Sequence, residues 1–204
     1  IEVFIQLETA GTLILRGVQD GNTADYPYRE RAGETVTISG RWLTVFESGG
    51  PAKPPSFDSE VPMYWTDLRD ERYGNFSGTA VYELKFARPA AKSSRWLLAL
   101  DSVKGTAEVL LNGKSVATLL GPVYETEFEG SLLADENVLT IKVSNLMANR
   151  IAYLDRNQIF WKKFYNVNFA ARRPENTRNN IFDASQWKPR ASGMSGHVRL
   201  HPLK

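Results

Sequence analysis

The sequence has no cysteine, no long apolar run and almost no net charge. Without cysteine, disulfides and thiolate chemistry are excluded, and the composition does not indicate whether the protein works in an oxidising or a reducing compartment. No apolar stretch approaches the roughly 18 residues that a membrane-spanning helix needs. A formal net charge of +2 over 204 residues provides no strong field for nucleic acid or for a membrane surface. We therefore expect no nucleic-acid partner and no membrane span.

Long segments with a helical repeat of apolar residues are also missing, which argues against a helical architecture. Aromatic residues are frequent instead, with 5 Trp, 8 Tyr and 10 Phe. Such residues suit the core of a β-rich protein, and they also suit stacking against sugar rings. The composition favours β-structure and keeps carbohydrate binding open.

Alternating apolar and polar residues mark three consecutive strands between residues 76 and 112. In residues 76–86 the apolar side chains fall on one face, whereas residues 95–103 are apolar on both faces and suit a strand covered on both sides. Residues 106–112 alternate again and end at Asn112-Gly113, a dipeptide that tolerates the positive φ angles of a type I′ turn. With further short strands toward the end of the chain, this pattern predicts an all-β fold, an antiparallel β-sandwich.

Residues 1–34 are predicted to form an N-terminal β-hairpin and a polar connection. The segments VFIQL and TLILR flank a turn in which Gly11 can adopt a positive φ. We expect this part to pack on the main body, residues 35–204, within one structural domain. Because the chain begins with Ile1 rather than Met, we also expect a missing leader or N-terminal portion, and a secreted or periplasmic bacterial protein.

Five segments carry a resemblance to a known family. They are residues 76–82 (FSGTAVY), 107–114 (AEVLLNGK), 136–143 (ENVLTIKV), 145–150 (NLMANR) and 192–200 (SGMSGHVRL). In this order they resemble the C-terminal β-sandwich of family 106 glycoside hydrolases, the α-L-rhamnosidase-like enzymes, and more loosely the sugar-binding jelly roll of family 2 glycosidases. The resemblance implies a jelly-roll, galactose-binding-like sandwich that is not catalytic and accompanies a catalytic domain of the same polypeptide.

Tyr64, Trp65 and Asp67 are the first candidate group of glycan-binding residues. They follow residues 48–62, a segment rich in proline and glycine, and loops of this length are often functional or mobile. An indole ring can stack on the apolar face of a sugar, while a carboxylate accepts hydrogen bonds from hydroxyl groups. Burial of Trp65 in the core is the alternative, and the sequence leaves both interpretations open.

Asn149, Arg150 and Asp155 are the second candidate group. They follow the predicted core strand 138–145 and should lie at its end, where the loops of a β-sandwich gather. In one interpretation, Arg150 fastens this loop to the body through Asp155 or through backbone carbonyl oxygens. In the other, Asn149 and Arg150 donate hydrogen bonds to sugar hydroxyl groups in a cleft shared with a catalytic domain. The resembled family commonly has its acidic residue one position closer to the arginine.

Oxygen ligands for a structural calcium ion could come from two acidic clusters. One comprises Asp67, Asp70 and Glu71, and the other comprises Asp135 and Glu136. Sandwiches of the resembled class often carry such an ion, although neither cluster has a recognised ligand spacing. No other cofactor is predicted.

Two pairs of residues share a strand face but are better interpreted as structural than as chemical. Glu125 and Glu127 would lie about 6.6 Å apart at Cα, near the separation of glycosidase carboxylates. No apolar pocket around them is evident, so we interpret them as a solvated face. His197 and His201 would lie about 13 Å apart, too far to share a metal ion, and we interpret both as surface side chains.

These features predict a non-catalytic, carbohydrate-associated module of an α-L-rhamnosidase-like glycoside hydrolase, which supports or completes a glycan-binding site. Its expected partners are a glycan or oligosaccharide and the catalytic domain of the same polypeptide. The alternatives are an independent lectin-like carbohydrate-binding domain and a small self-contained glycosidase. A fold alone cannot decide between these functions.

Overall fold

Two antiparallel β-sheets lie against one apolar core in a computed structural model of the protein. The structure describes residues 2–7, 9–17, 21, 26, 28–163 and 173–204. The strands are β1 (Val36–Ile38), β2 (Trp42–Gly50), β3 (Phe57–Ser59), β4 (Ser77–Ala87), β5 (Arg95–Lys104), β6 (Thr106–Leu111), β7 (Lys114–Leu119), β8 (Glu125–Glu129), β9 (Glu136–Ser144), β10 (Thr177–Arg178), β11 (Ile181–Phe182) and β12 (Gly193–Leu203). The helices are α1 (Glu71–Gly74) and α2 (Ala148–Arg156), and 3-10 turns cover Trp65–Leu68, Gly130–Leu132 and Pro174–Asn176.

Six strands form the larger sheet, in the order β3-β2-β4-β9-β6-β7, and four form the smaller sheet, in the order β1-β12-β5-β8. Every described pairing within these sheets is antiparallel. β3 comes from the proline-rich residues 48–62 and lies at a sheet edge, where proline is tolerated. The predicted all-β, antiparallel sandwich is confirmed.

The core is filled by the strand faces that the alternation predicted. Tyr82 and Leu84 of β4 are buried in the same apolar cluster as Leu98 and Leu100 of β5. β5 also buries Leu97 on its other face, as expected for a strand covered on both sides. Burying one side chain of this size contributes about 1.5–3 kcal/mol. The contact between the two sheets is therefore the main source of the stability of the fold.

The turn at Asn112-Gly113 has the predicted geometry. Both residues have a positive φ, 53° and 77°, as a type I′ turn requires. The Asn112 side chain accepts a hydrogen bond from the Val138 N–H (2.9 Å) and donates one to the Leu132 carbonyl oxygen (2.8 Å). Because these bonds reach β9 and the turn before it, Asn112 also fixes one end of the larger sheet.

The N-terminal segment differs from the predicted hairpin. Its described residues, 2–7 and 9–17, include a turn but no strand. The Gln6 side chain instead makes two hydrogen bonds to the backbone of Arg29, through its amide nitrogen (3.0 Å) and its amide oxygen (2.7 Å). Two strands without a third strand beside them are only marginally stable in water, which explains why apolar alternation alone does not produce a hairpin here.

The described residues contain no helix that is both long and apolar enough to cross a membrane.

Candidate functional site

One end of the sandwich gathers several of the candidate residues. The antiparallel register brings Gly50 of β2, Ser77 of β4 and Ser144 of β9 to this end. Lys104, the last residue of β5, lies opposite Gly193, the first residue of β12. Helix α2 begins here as well, shortly after β9. We call this region the α2 end.

Trp65 is a core residue, which corrects its interpretation as a sugar-stacking residue. It is 0% exposed, and its ring meets those of Phe46 and Phe76 edge to face, at centroid distances of 5.7 and 6.0 Å. Asp67, in the same 3-10 turn, is exposed. A stacking surface must be open to its ligand, so Trp65 cannot supply one. The alternative, burial in the core, is confirmed.

Tyr64 is held in place by contacts within the protein. Its hydroxyl oxygen lies 2.5 Å from the hydroxyl oxygen of Ser102, at hydrogen-bond distance, and its backbone pairs with Gly193. The Lys104 ammonium group lies 6.0 Å from the centroid of the tyrosine ring, at the outer limit of a cation–π contact. Tyr64 is half-buried. Its hydroxyl group and one face of its ring are therefore already in contact with other residues of the protein.

Asn149 has a structural role. It is 3% exposed, and its Nδ2 donates to the Arg190 carbonyl oxygen (3.0 Å) while its Oδ1 accepts from the Arg190 N–H (2.8 Å). A second donation reaches the Ser192 hydroxyl group (3.3 Å). Because its polar atoms are buried and engaged, the Asn149 amide ties α2 to the segment before β12 rather than facing a sugar.

Arg150 and Asp155 do not pair, because Asp155 pairs with Lys162 instead, so Asp155 is not the partner through which Arg150 would fasten this region to the body. Both residues belong to α2, and at 3.6 residues per turn a spacing of five residues places them about 140° apart around the helix. The Arg150 N–H donates to the Ser77 hydroxyl group (3.1 Å), and its guanidinium group packs against Gly50. Arg150 therefore faces the larger sheet and Asp155 faces away from it.

Asp155 lies beside a second, smaller apolar cluster. The cluster consists of Phe182 and Ala184, with Ile151, Trp161 and Trp187 packed against them. The Asp155 carboxylate is 5% exposed and pairs with the Lys162 ammonium group at 2.8 Å. It also accepts hydrogen bonds from Trp161 Nε1 (2.7 Å) and from the Ala184 N–H (2.8 Å). A buried carboxylate with three donors is a structural centre of this cluster, not a free sugar ligand.

The acidic clusters proposed for calcium are not supported. Within the part of the chain that the structure describes, no three His, Cys, Asp or Glu side chains lie close enough to hold a metal ion. Asp70 instead caps α1 by accepting a hydrogen bond from the Arg72 N–H (2.8 Å), and it pairs with the Arg72 guanidinium group (2.6 Å). Asp67, Glu71, Asp135 and Glu136 are exposed.

Glu125 and Glu127 are half-buried carboxylates held by arginines. Glu127 accepts hydrogen bonds from Arg29 Nε and Arg95 Nη2, each at 2.6 Å, and Arg29 also lies 3.9 Å from Glu125. Burial alone would raise the pKa of Glu127, but the hydrogen bonds and charges of the two arginines outweigh it and hold that pKa below its ordinary value. An acid that ionises this readily is a poor proton donor for glycoside hydrolysis, which supports a structural role.

His197 and His201 differ in burial, which corrects the interpretation of both as surface side chains. His197 is exposed, but His201 is 7% exposed and its Nδ1 lies 2.8 Å from the Thr35 hydroxyl oxygen. Burial lowers the pKa of His201, and the positive charges of Arg31 and Arg199 lower it further. His201 therefore stays neutral in the folded protein at neutral pH.

We expect part of the acid sensitivity of the protein to come from His201. Its folded-state pKa lies below the ordinary value of 6.5, so the unfolded state binds a proton first as the pH falls. The contribution of His201 to stability is thus intact above about pH 6.5 and declines below it, by at most about 1.4 kcal/mol per pH unit. Melting temperatures between about pH 7.5 and 5 should fall less steeply in His201→Gln than in the wild type, whereas His197→Gln should follow the wild type. An unchanged slope in His201→Gln would contradict this assignment.

An open cleft of about 770 Å³ lies at the α2 end. Its walls come from Lys104 and Gly105, from Leu120, and from the segments 144–149 and 190–192. Of the six candidate residues, Asn149 lines this cleft and the other five do not. The charged residues of the cleft, Lys104 and Arg190, were missed because they lie in separate segments of the sequence and share no local pattern.

Comparisons with known proteins agree on the class of fold. No family model matches the chain. A rhamnosidase from Novosphingobium sp. PP1Y superimposes with a TM-score of 0.63 at 23% identity, over 88% of this chain and 16% of that protein. A beta-glucuronidase from Bifidobacterium dentium, solved with coumarin-3-O-glucuronide, gives a TM-score of 0.53 at 22% identity, over 83% of this chain and 30% of that protein. The chain therefore has a β-sandwich that also occurs in glycoside hydrolases.

One curated relative is similar in sequence as well. A Formosa agariphila protein provisionally named a beta-glucuronidase is 39% identical over 121 residues, which make up 58% of this chain and 10% of the relative. The match thus spans about a tenth of that relative's length. The association with glycoside hydrolases is supported by these findings, whereas membership of family 106 stays a prediction.

Proposed function

We propose that the chain is an accessory β-sandwich module of a glycoside hydrolase that packs against a catalytic domain of the same polypeptide and has no catalytic activity of its own. One observation carries this proposal. The matches cover more than half of this chain but only 10% to 30% of the relatives, whose names are rhamnosidase and beta-glucuronidase. Among hydrolases we favour an α-L-rhamnosidase-like enzyme, because the five sequence segments and the higher TM-score of 0.63 both point there.

The chemistry of the described residues supports a module without hydrolytic activity. A glycosidase needs one carboxylic acid that stays protonated near neutral pH and a second, ionised carboxylate. The pair with suitable spacing, Glu125 and Glu127, is engaged by Arg29, and Arg95 also binds Glu127. These arginines favour the ionised form of Glu127, so Glu127 is a poor candidate for the protonated acid.

The N-terminal segment supports contact with another domain. Its apolar side chains are exposed, among them Phe4 (70%) and Ile14 (88%). Contiguous exposed apolar residues usually mark a surface that another protein or domain covers. A catalytic domain of the same polypeptide would bury these residues and hold the module in place, which makes residues 2–7 and 9–17 a candidate docking segment.

Kinetics with the native gene product test the proposal. The full-length enzyme, the same enzyme without this module, and the isolated chain should be assayed on 4-nitrophenyl α-L-rhamnoside and 4-nitrophenyl β-D-glucuronide. We expect turnover of one substrate by the full-length enzyme, none by the isolated chain, and a lower melting temperature of the catalytic domain once the module is deleted. Turnover by the isolated chain that is lost in Glu127→Gln would overturn the proposal.

A second candidate function is an independent, lectin-like carbohydrate-binding domain. The open cleft at the α2 end favours it, because glycan sites are concave and combine apolar surface with a few polar groups. A native reading frame without a hydrolase domain, together with glycan binding by the isolated chain, would replace the first proposal by this one.

A further inference from the structure

The cleft at the α2 end has a charge pattern that the proposed function does not explain. Its charged lining residues are Lys104, at the end of β5, and Arg190, in the segment before β12. Among the described residues, no acidic side chain lines it. The described lining therefore carries two positively charged residues and no carboxylate.

Both cations are available to a ligand. Among the described residues, neither the Lys104 ammonium group nor the Arg190 guanidinium group makes an ion pair or a hydrogen bond; Lys104 has only its distant contact with the Tyr64 ring. Elsewhere in the sandwich, Arg95 pairs with Glu127 and Arg199 pairs with Asp101. Both Lys104 and Arg190 are exposed, so they are solvated now and could meet an anion without a large desolvation cost.

The backbone that carries Arg190 is rigidly held. The buried Asn149 amide binds both the N–H and the carbonyl oxygen of Arg190. The neighbouring Asn145 donates to the Ser192 hydroxyl group (2.8 Å) and to the Phe76 carbonyl oxygen (3.1 Å). A wall fixed in this way lowers the ordering cost of binding. Asn149 and Asn145 thus hold the segment that carries Arg190 in place.

The shape and the apolar surface of the cleft suit a sugar. Its volume of about 770 Å³ falls in the range of about 300–1,000 Å³ that is usual for small-ligand sites. Leu120 and Leu146 line it and are 76% and 66% exposed, so aliphatic surface is open to the C–H face of a sugar ring. Ser144 and Thr106 belong to the same lining. The Ser144 hydroxyl group lies 2.8 Å from that of Thr79, but a hydroxyl group can form more than one hydrogen bond, so both residues can still bond to sugar hydroxyl groups.

We propose that this cleft binds an acidic sugar residue of a glycan, with Lys104 and Arg190 contacting its carboxylate or sulfate group. The proposal goes beyond the accessory role proposed above, because it gives the module a ligand of its own. Arginine forms paired hydrogen bonds with planar carboxylates, and lysine adds a point charge. A neutral sugar would leave both cations unused, so the cleft selects for acidic sugars.

Binding measurements on the isolated chain test this inference. The probes are a hyaluronan tetrasaccharide, which carries carboxylates, a carrageenan tetrasaccharide, which carries sulfates, and chitotetraose, which is neutral. Isothermal titration and amide chemical shifts should detect at least one acidic probe and not the neutral one. Lys104→Gln and Arg190→Gln should each weaken binding about tenfold. The control is Lys114→Gln, since Lys114 is exposed at the opposite end of β7 and its loss should leave affinity unchanged.

The possible outcomes distinguish a carboxylated from a sulfated sugar, and they distinguish binding of an acidic sugar from other roles of the cleft. Preference for hyaluronan identifies a carboxylated sugar, and preference for carrageenan a sulfated one. Equal binding of chitotetraose, or equal affinity in Lys104→Gln, Arg190→Gln and Lys114→Gln, overturns the inference. No binding of any probe, with Arg190→Gln lowering the stability of the full-length enzyme, also overturns it and assigns the cleft to the catalytic domain. That result would leave the proposed accessory role intact, because the accessory role is tested separately, by deleting the module from the full-length enzyme.

Discussion

Replacing Trp65 with alanine should destabilise the sandwich by about 3–5 kcal/mol, the range measured for large aromatic residues in protein cores. Trp65 is fully buried, and its ring packs edge to face against Phe46 and Phe76. Its indole N–H has no hydrogen-bond acceptor among the described residues, so the loss would come from packing alone. The cavity would open between the 3-10 turn and the larger sheet, where Phe46 also contacts Tyr73.

Urea denaturation followed by circular dichroism measures this loss. Trp187→Ala is the matched control, because Trp187 belongs to the smaller cluster, is half-buried and packs against Phe182 at a centroid distance of 5.6 Å. We expect a clearly smaller shift of the main transition in this control. A Trp65→Ala variant with unchanged stability and weakened glycan binding would restore the stacking interpretation of Trp65.

The sequence predicts the strands of the sandwich well where alternation and burial agree. β4, β6 and β9 each bury one face against the core, so apolar residues recur at every second position in their sequences and indicate a strand. The same alternation in the N-terminal segment predicts strands that the described residues 2–7 and 9–17 do not form. The N-terminal segment differs from β4, β6 and β9 in having no neighbouring strand to pair with among the described residues. Local pattern cannot reveal whether a third strand is present.

The candidate site is harder to predict, and α2 shows why. Its two buried residues are Asn149 and Ala152, one polar and one small, so this nine-residue segment buries no large apolar side chain completely and is hard to predict as a helix. Without the helix, Arg150 and Asp155 look like neighbours in one loop, whereas the helix turns them to different sides. The cleft depends on Lys104 and Arg190, which are far apart in the sequence. The pairing of β5 with β12 brings both residues to the same cleft.

Loss of the Asp155 carboxylate should open the smaller cluster while the sandwich stays folded. In Asp155→Ala, the Lys162 ammonium group, Trp161 Nε1 and the Ala184 N–H would lose their acceptor. Removing one partner of a buried ion pair costs about 3–5 kcal/mol, because the remaining charge is left without compensation. That cost falls on a cluster separate from the main core, most of whose residues lie in the two sheets. A local opening is therefore cheaper than global unfolding.

Hydrogen exchange followed by mass spectrometry distinguishes local from global effects. In Asp155→Ala, exchange should accelerate in residues 148–163 and 173–190, whereas β4 and β9 should keep their protection. Asp155→Asn retains the shape and one acceptor but removes the charge, so it should show an intermediate effect if the Lys162 ion pair matters. Asp183→Ala is the control, since this residue bonds to the Ser185 N–H (2.7 Å) at the edge of the cluster and its loss should be mild. Equal acceleration in β4 and β9 would mean that the two clusters unfold together, and then Asp155 stabilises the whole module, including the cleft wall at Arg190.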